Sequence, residues 1–153
     1  MSHHNKNYQL AQINVAQAKA EMDSEIMQGF TSRLDEINAI ADSSQGFIWR
    51  LQTEEGDATS IRVFNNPLLL VNMSVWEGIN SLKAFVYKSL HVELIRDRDA
   101  WFDKMESMHQ ALWWIPKGHI PTTQEAQQRL EIIRLNGPTQ EAFTFGKHFD
   151  QIG

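Results

Sequence analysis

The chain has no cysteine. Disulfides, thiolate nucleophiles and cysteine-ligated zinc are therefore excluded, and the absence is compatible with a reducing cytoplasm. There is no run of basic residues and the formal net charge is −5, so nucleic acid is not an expected partner. No stretch approaches the ~18 apolar residues of a membrane-spanning helix. The N-terminus lacks the basic-then-apolar pattern of a secretory signal. The expectation is a cytoplasmic protein with no membrane partner. No glycine-rich phosphate loop, nucleophile elbow, H-E-x-x-H helix or zinc-type histidine spacing occurs. Glu54-Glu55-Gly56-Asp57 lacks the alternating ligands of a calcium loop and reads as a solvated turn.

What is present is aromatic: five tryptophans and eight phenylalanines in 153 residues. Each large aromatic can bury ~150–250 Å². They either fill a core or line a pocket or dimer interface. The length fits one domain, 1–153, with a core over about 8–149.

Alternation from Tyr8 to Val15 predicts a first strand. Asp23 precedes a helical pattern in which Ile26, Met27, Phe30, Leu34 and Ile37 share a face. Gly29 weakens that helix by roughly 1 kcal/mol relative to alanine, so packing must offset it. Gly46 is a helix stop able to take a left-handed conformation. Phe47, Trp49 and Leu51 alternate with Ile48, Arg50 and Gln52 as a second strand. Ile61 to Phe64 is a short strand or irregular edge, and Leu68 to Trp76 a buried strand. Ser81 to Met105 is read as one long helix, with Tyr87, His91, Arg98 and Phe102 along one flank. Ala111 to Pro116 is the next strand. Thr122-Thr123-Gln124-Glu125 is a capping box in which the Glu125 carboxylate reaches back. Asn136-Gly137-Pro138 ends the helix it opens, and Ala142 to Phe145 is a last strand.

The fold expected is α+β: a ferredoxin-like β-α-β-β-α-β antiparallel sheet with an appended helix and strand. An apolar second sheet face would need cover, so two copies packed sheet to sheet are expected, a homodimer forming a dimeric α/β barrel.

Several segments together carry a resemblance: Trp49-Arg50-Leu51-Gln52-Thr53, Met73-Ser74-Val75-Trp76-Glu77 and Phe85-Val86-Tyr87-Lys88-Ser89-Leu90-His91. Trp101-Phe102, Leu112 to His119, Asn136-Gly137-Pro138-Thr139 and Ala142-Phe143-Thr144-Phe145 continue it. In order, they resemble a family of short, mostly bacterial proteins of uncharacterised function within the dimeric α/β-barrel superfamily. That superfamily includes antibiotic-biosynthesis-type monooxygenases, haem-degrading monooxygenases, chlorite dismutase-like proteins and stress-response barrels. The resemblance implies a monooxygenase-like protein that binds a hydrophobic or aromatic small molecule in a cavity beside the sheet. It is equally compatible with haem and with no cofactor. A non-enzymatic ligand-binding or stress-related dimer, with structural histidines, is the alternative.

Two histidines are the catalytic candidates. His91 lies where haem-binding members of the superfamily place an axial ligand, and would be a metal ligand only if haem is bound. His119 leaves a strand in Pro116-Lys117-Gly118-His119-Ile120-Pro121, a turn stiffened by two prolines. For each, a structural histidine bonded to backbone is the competing reading. The ligand-binding candidates are Arg50, Trp49, Trp76, Tyr87, Arg98, Trp113 and Trp114. Tyr87 and Arg98 would contact a propionate or carboxylate, and the tryptophans would form walls. Trp113 and Trp114 should point to opposite faces of the sheet. If Trp49 faces helices, Arg50 faces the cavity and needs an anionic partner.

Overall fold

In a computed structural model of the chain, the described residues are 7–21, 23–52, 68–87, 92–93, 96–103 and 109–149. The central strand is β1 (Tyr8–Ala18). On one side it pairs with β3 (Leu69–Trp76), which pairs in turn with β2 (Phe47–Arg50). On the other side, Tyr8–Asn14 pairs with β5 (Gln110–Pro116), and Gln17–Ala18 pairs with the two-residue β4 (Phe102–Asp103). All pairs are antiparallel, and the long strands run β2-β3-β1-β5. This is the ferredoxin-like order. Helices α1 (Gln28–Asp42) and α2 (Ile79–Val86) cover one face, and α3 (Thr123–Asn136) covers the other.

The register assigns each side chain to a face. Ala11, Ile13 and Val15 of β1, Met73 and Val75 of β3, and Trp113 of β5 point toward α3. They bury against Ala126, Leu130 and Ile133, which recur at helical spacing on α3. On the other face, Leu10, Trp76 and Leu112 pack with Leu82 of α2, Ala41 of α1 and Phe143. Farther along the same face, Ala18, Met27 and Trp101 form a third cluster with Phe30 and Phe102 around them.

Several sequence expectations need correction. Helix α1 begins at Gln28, not after Asp23; its N-cap, Met27, makes no side-chain capping bond, and Ile26 is exposed. The 81–105 stretch is not one helix. α2 ends at Val86, a 3₁₀ turn spans Arg98–Ala100, and Phe102–Asp103 joins the sheet edge. Burial overrides helical periodicity here: Trp101 is 5% exposed against Met27, and its carbonyl accepts from the Lys19 amide. Arg98 and Phe102 therefore do not continue a helical flank from Tyr87. Phe47 and Trp49 do not share a face, because a bulge intervenes: Phe47 is opposite Trp76 and Trp49 opposite Val75. The last strand shrinks to a bridge between Leu112 and Phe143. The expected edge at Ile61 to Phe64 and the turn at Glu54 to Asp57 lie outside the described residues.

The apolar face that motivated a sheet-to-sheet dimer is covered within the chain. Val71, Met73, Val75, Ala11 and Ile13 are each at most 3% exposed beneath α3 and its neighbours.

Candidate functional site

Along β1, β3 and β5 the cover fails at one place. Apart from the terminal Pro116, Asn14 and Asn72 are the exposed residues of these three strands. They face each other across the β1–β3 ladder, on the face that carries α1 and α2. This opening among the described residues, termed the trough below, is bordered by polar side chains, which form its floor. Gln110 flanks Asn14 on one side of β1. One row inward, Gln12 is opposite Ser74, and Ser74 is opposite Arg50 of β2.

The inner row is tightly bonded. Gln12 Nε2 donates to Asn72 Oδ1 at 2.6 Å and to Ser74 Oγ at 2.9 Å. Trp76 Nε1 donates to the same Ser74 oxygen at 2.8 Å. Gln12 and Ser74 are 5% and 7% exposed, so these bonds satisfy polar groups that water reaches poorly. Beyond them lies a buried aromatic cluster: Trp76 stacks on Phe85 with centroids 5.2 Å apart and meets Phe47 edge-on at 5.3 Å. Arg50 holds Asp42, at the end of α1, through Nε at 2.8 Å and Nη2 at 3.2 Å. Its side chain is 10% exposed and that of Asp42 47%.

A second polar arrangement lies on the opposite face, at the start of α3. Trp113 Nε1 donates to Glu125 Oε2 at 2.9 Å, and His119 Nε2 meets Glu125 Oε1 at 2.6 Å. The Glu125 amide donates to Thr122 Oγ1 at 3.0 Å. Thr122 is thus the N-cap, but the carboxylate holds an indole and an imidazole instead of reaching back, which corrects the expected capping box. His119 arrives on a turn closed by its amide to the Pro116 carbonyl at 3.0 Å, with Gly118 at φ 89°. That backbone is left-handed and suits glycine.

The sheet therefore divides the candidates. Trp76, Trp114 and Arg50 lie on the trough side; Trp49, Trp113 and His119 lie on the α3 side. Trp113 and Trp114 do point to opposite faces, as β geometry demands. Trp114 Nε1 donates to the Phe149 carbonyl at 2.8 Å, which ties the C-terminal segment to the sheet. Tyr87 caps the end of α2 and is 67% exposed. Arg98 sits exposed on the 3₁₀ turn. His91 lies outside the described residues, so its pairing with His119 does too. Haem is accordingly not placed: the axial ligand that the resemblance implies is His91, and His119 stands across the sheet from the trough.

The floor residues Gln12, Asn14, Asn72 and Ser74 were not singled out from the sequence. A signal existed: four polar residues at alternating positions of two strands whose neighbours are apolar. His109, also unremarked, has its pKa lowered by partial desolvation first and then by the charges of Arg98 and Arg134. Among the described residues, no cluster of three or more acidic or histidine side chains could hold a metal ion. No helix there is long and apolar enough to cross a membrane.

Solved structures similar to this chain share little sequence with it. A Pseudomonas aeruginosa protein, PA3566, is 10% identical with a TM-score of 0.49; the match covers 75% of this chain and 99% of that one. A conserved protein from Methanosarcina mazei is 16% identical with a TM-score of 0.48, over 72% of this chain and 92% of that one. SnoaB, a cofactor-independent oxygenase from Streptomyces nogalater, is 12% identical with a TM-score of 0.47, over 76% and 99%. No curated protein matches the sequence. A family model does match, over residues 9–153, and the chain belongs to the family described as Domain of unknown function (DUF3291).

Proposed function

We propose that the protein binds a small hydrophobic or aromatic molecule in the trough between the sheet and its helices. The observation that supports this is the break in cover. A sheet centre built only for stability would be roofed and apolar, like the α3 face. Here the roof opens over Asn14 and Asn72, and the floor beneath is amides and a hydroxyl. Such a surface joins apolar walls to a few placed polar groups, the usual makeup of a small-molecule site. The half-buried Phe85, backed by the buried Trp76, gives the molecule's apolar part a surface, and the floor orients its polar part.

The monooxygenase-like reading adds a chemical step to this binding. The floor's amides and hydroxyl bind and orient; in this reading dioxygen is the oxidant, a CH2 of the bound molecule becomes C=O with one oxygen atom, and the other leaves with the two hydrogens as water. A homodimer is part of the same proposal, but its contact would lie elsewhere than the sheet face under α3.

The test is a titration with 2-ethylnaphthalene followed by tryptophan fluorescence. Saturable binding is expected in the wild-type protein, and its loss in Asn72→Trp, where an indole fills the opening. Equal binding by Asn72→Trp, with an unchanged melting curve, would remove the trough as the site.

A further inference from the structure

Proton bookkeeping in the inner row singles out one side chain. Trp76 Nε1–H can only donate, and it does so to Ser74 Oγ at 2.8 Å. Gln12 Nε2 gives one proton to the same oxygen at 2.9 Å and the other to Asn72 Oδ1 at 2.6 Å. A serine oxygen has two acceptor positions, and both are taken. The Ser74 hydroxyl must therefore act outward as a donor, and among the described residues nothing accepts its proton. Ser74 is 7% exposed, one row in from the exposed Asn72 and beside the buried Trp76. A buried donor without an acceptor is costly, so the position favours a ligand that supplies one.

We infer that Ser74 reads the bound molecule, donating its hydroxyl proton to a carbonyl oxygen of a neutral ligand. The inference rests on the trough being a binding site. Neutrality follows from the charges at hand. The floor amides carry none, and the Arg50 guanidinium is matched by Asp42 through two bonds of 2.8 and 3.2 Å. Among the described residues the floor offers a carboxylate no cation beyond the matched Arg50, so it would lose its hydration. The tryptophan contributes no hydrogen bond to the ligand, because its N–H is already held. Its ring is buried under Phe47 and Phe85, and its part is the closing of one Ser74 lone pair.

The experiment compares three probes of one shape: 2-acetylnaphthalene, 2-ethylnaphthalene and 2-naphthoate. In the wild-type protein the ketone should bind about 3–10-fold more tightly than the hydrocarbon, the range that one net hydrogen bond gives. The carboxylate should bind more weakly than the ketone. Ser74→Ala is the weaker control, because it also frees the Trp76 and Gln12 N–H groups that Ser74 Oγ now accepts. Gln12→Glu tests the direction of the network while keeping the hydroxyl: a carboxylate there accepts the Ser74 proton, so the ketone preference should vanish. Thermal melts of both variants establish that each is folded. A ketone preference that survives in folded Gln12→Glu overturns the inference, as does equal binding of ketone and hydrocarbon to the wild-type protein, or tighter binding of naphthoate. In those cases the trough still binds. If neither neutral probe binds the wild-type protein, the binding reading itself fails.

Discussion

Trp113 and Glu125 are joined across the interface between the sheet and α3 by an indole-to-carboxylate hydrogen bond of 2.9 Å. Trp113 is fully buried, so its N–H has no water to fall back on. The Glu125 side chain is 21% exposed and serves the buried indole and the half-open His119 at once. Removing the carboxylate and removing the imidazole are therefore unequal changes. Glu125→Ala orphans a buried donor and should cost about 1–3 kcal/mol in urea unfolding. His119→Ala removes an exposed partner and should cost under about 1 kcal/mol. Equal losses would mean that the carboxylate acts mainly through the histidine.

His109 sets a pH dependence. Although His109 is exposed, partial desolvation by its neighbours, then Arg98 and Arg134, lower its pKa in the folded protein. The unfolded chain, with a histidine pKa of about 6.5, then binds more protons than the folded one between the two values. The sign follows: stability is intact above about pH 6.5, falls as pH drops toward the folded pKa, and levels off below it. Asp97, whose pKa is lowered by hydrogen bonds from Arg96 and then Arg33, acts only at more acidic pH. Unfolding measured at pH 7.5 and 5.5 should show the loss in the wild-type protein and a smaller one in His109→Gln. An unchanged loss in the variant would assign the window to other groups.

How much of this was legible depended on whether local pattern and tertiary burial agreed. They agreed for β1, β3 and β5, for the Thr122 cap and for the stop at Gly137, whose φ is 70°. They disagreed at Trp101 and Phe102. These residues fit a helical stripe, yet they are drawn to the edge of β1, beside Ala18 and Met27. The bulge between Phe47 and Trp49 was equally hidden, since one extra residue reverses the faces without changing the composition. The division of the candidate site by the sheet was half visible. Trp113 and Trp114 had to part by strand geometry. That His119 would turn toward α3 required knowing that Glu125 gives up its capping role. The trough was hidden because its residues are ordinary amides, and only the failure of cover above them gives them meaning.

The Thr122 cap offers a simple check on α3. Its hydroxyl takes the Glu125 amide at 3.0 Å, one of the donors that a helix start leaves open. Thr122→Ala should cost about 1 kcal/mol in chemical denaturation, and Thr122→Ser almost nothing. Because Glu125 also holds Trp113, the alanine variant should red-shift tryptophan emission if the first turn frays. A loss of stability without that shift would confine the cap's effect to the helix backbone.

Gly29 offers a sharper test, because helix propensity and packing pull in opposite directions. Within α1, alanine is intrinsically better than glycine by about 1 kcal/mol. Yet a Cβ at position 29 would lie 3.0 Å from both Cζ2 and Nε1 of Trp101, tighter than ordinary packing. Trp101 cannot easily withdraw. It is 5% exposed, tilted against Phe30 with ring centroids 6.0 Å apart, and overlaid by Arg33 at 5.7 Å. Overpacking of this kind costs about 1–3 kcal/mol, enough to outweigh the propensity gain. Gly29→Ala should therefore destabilise the protein. In a Trp101→Leu background, where the indole is gone, the same substitution should become neutral or stabilising. The two single variants and the double variant, compared by denaturant unfolding, give the coupling directly. Additive effects would show that the glycine answers to something other than the indole.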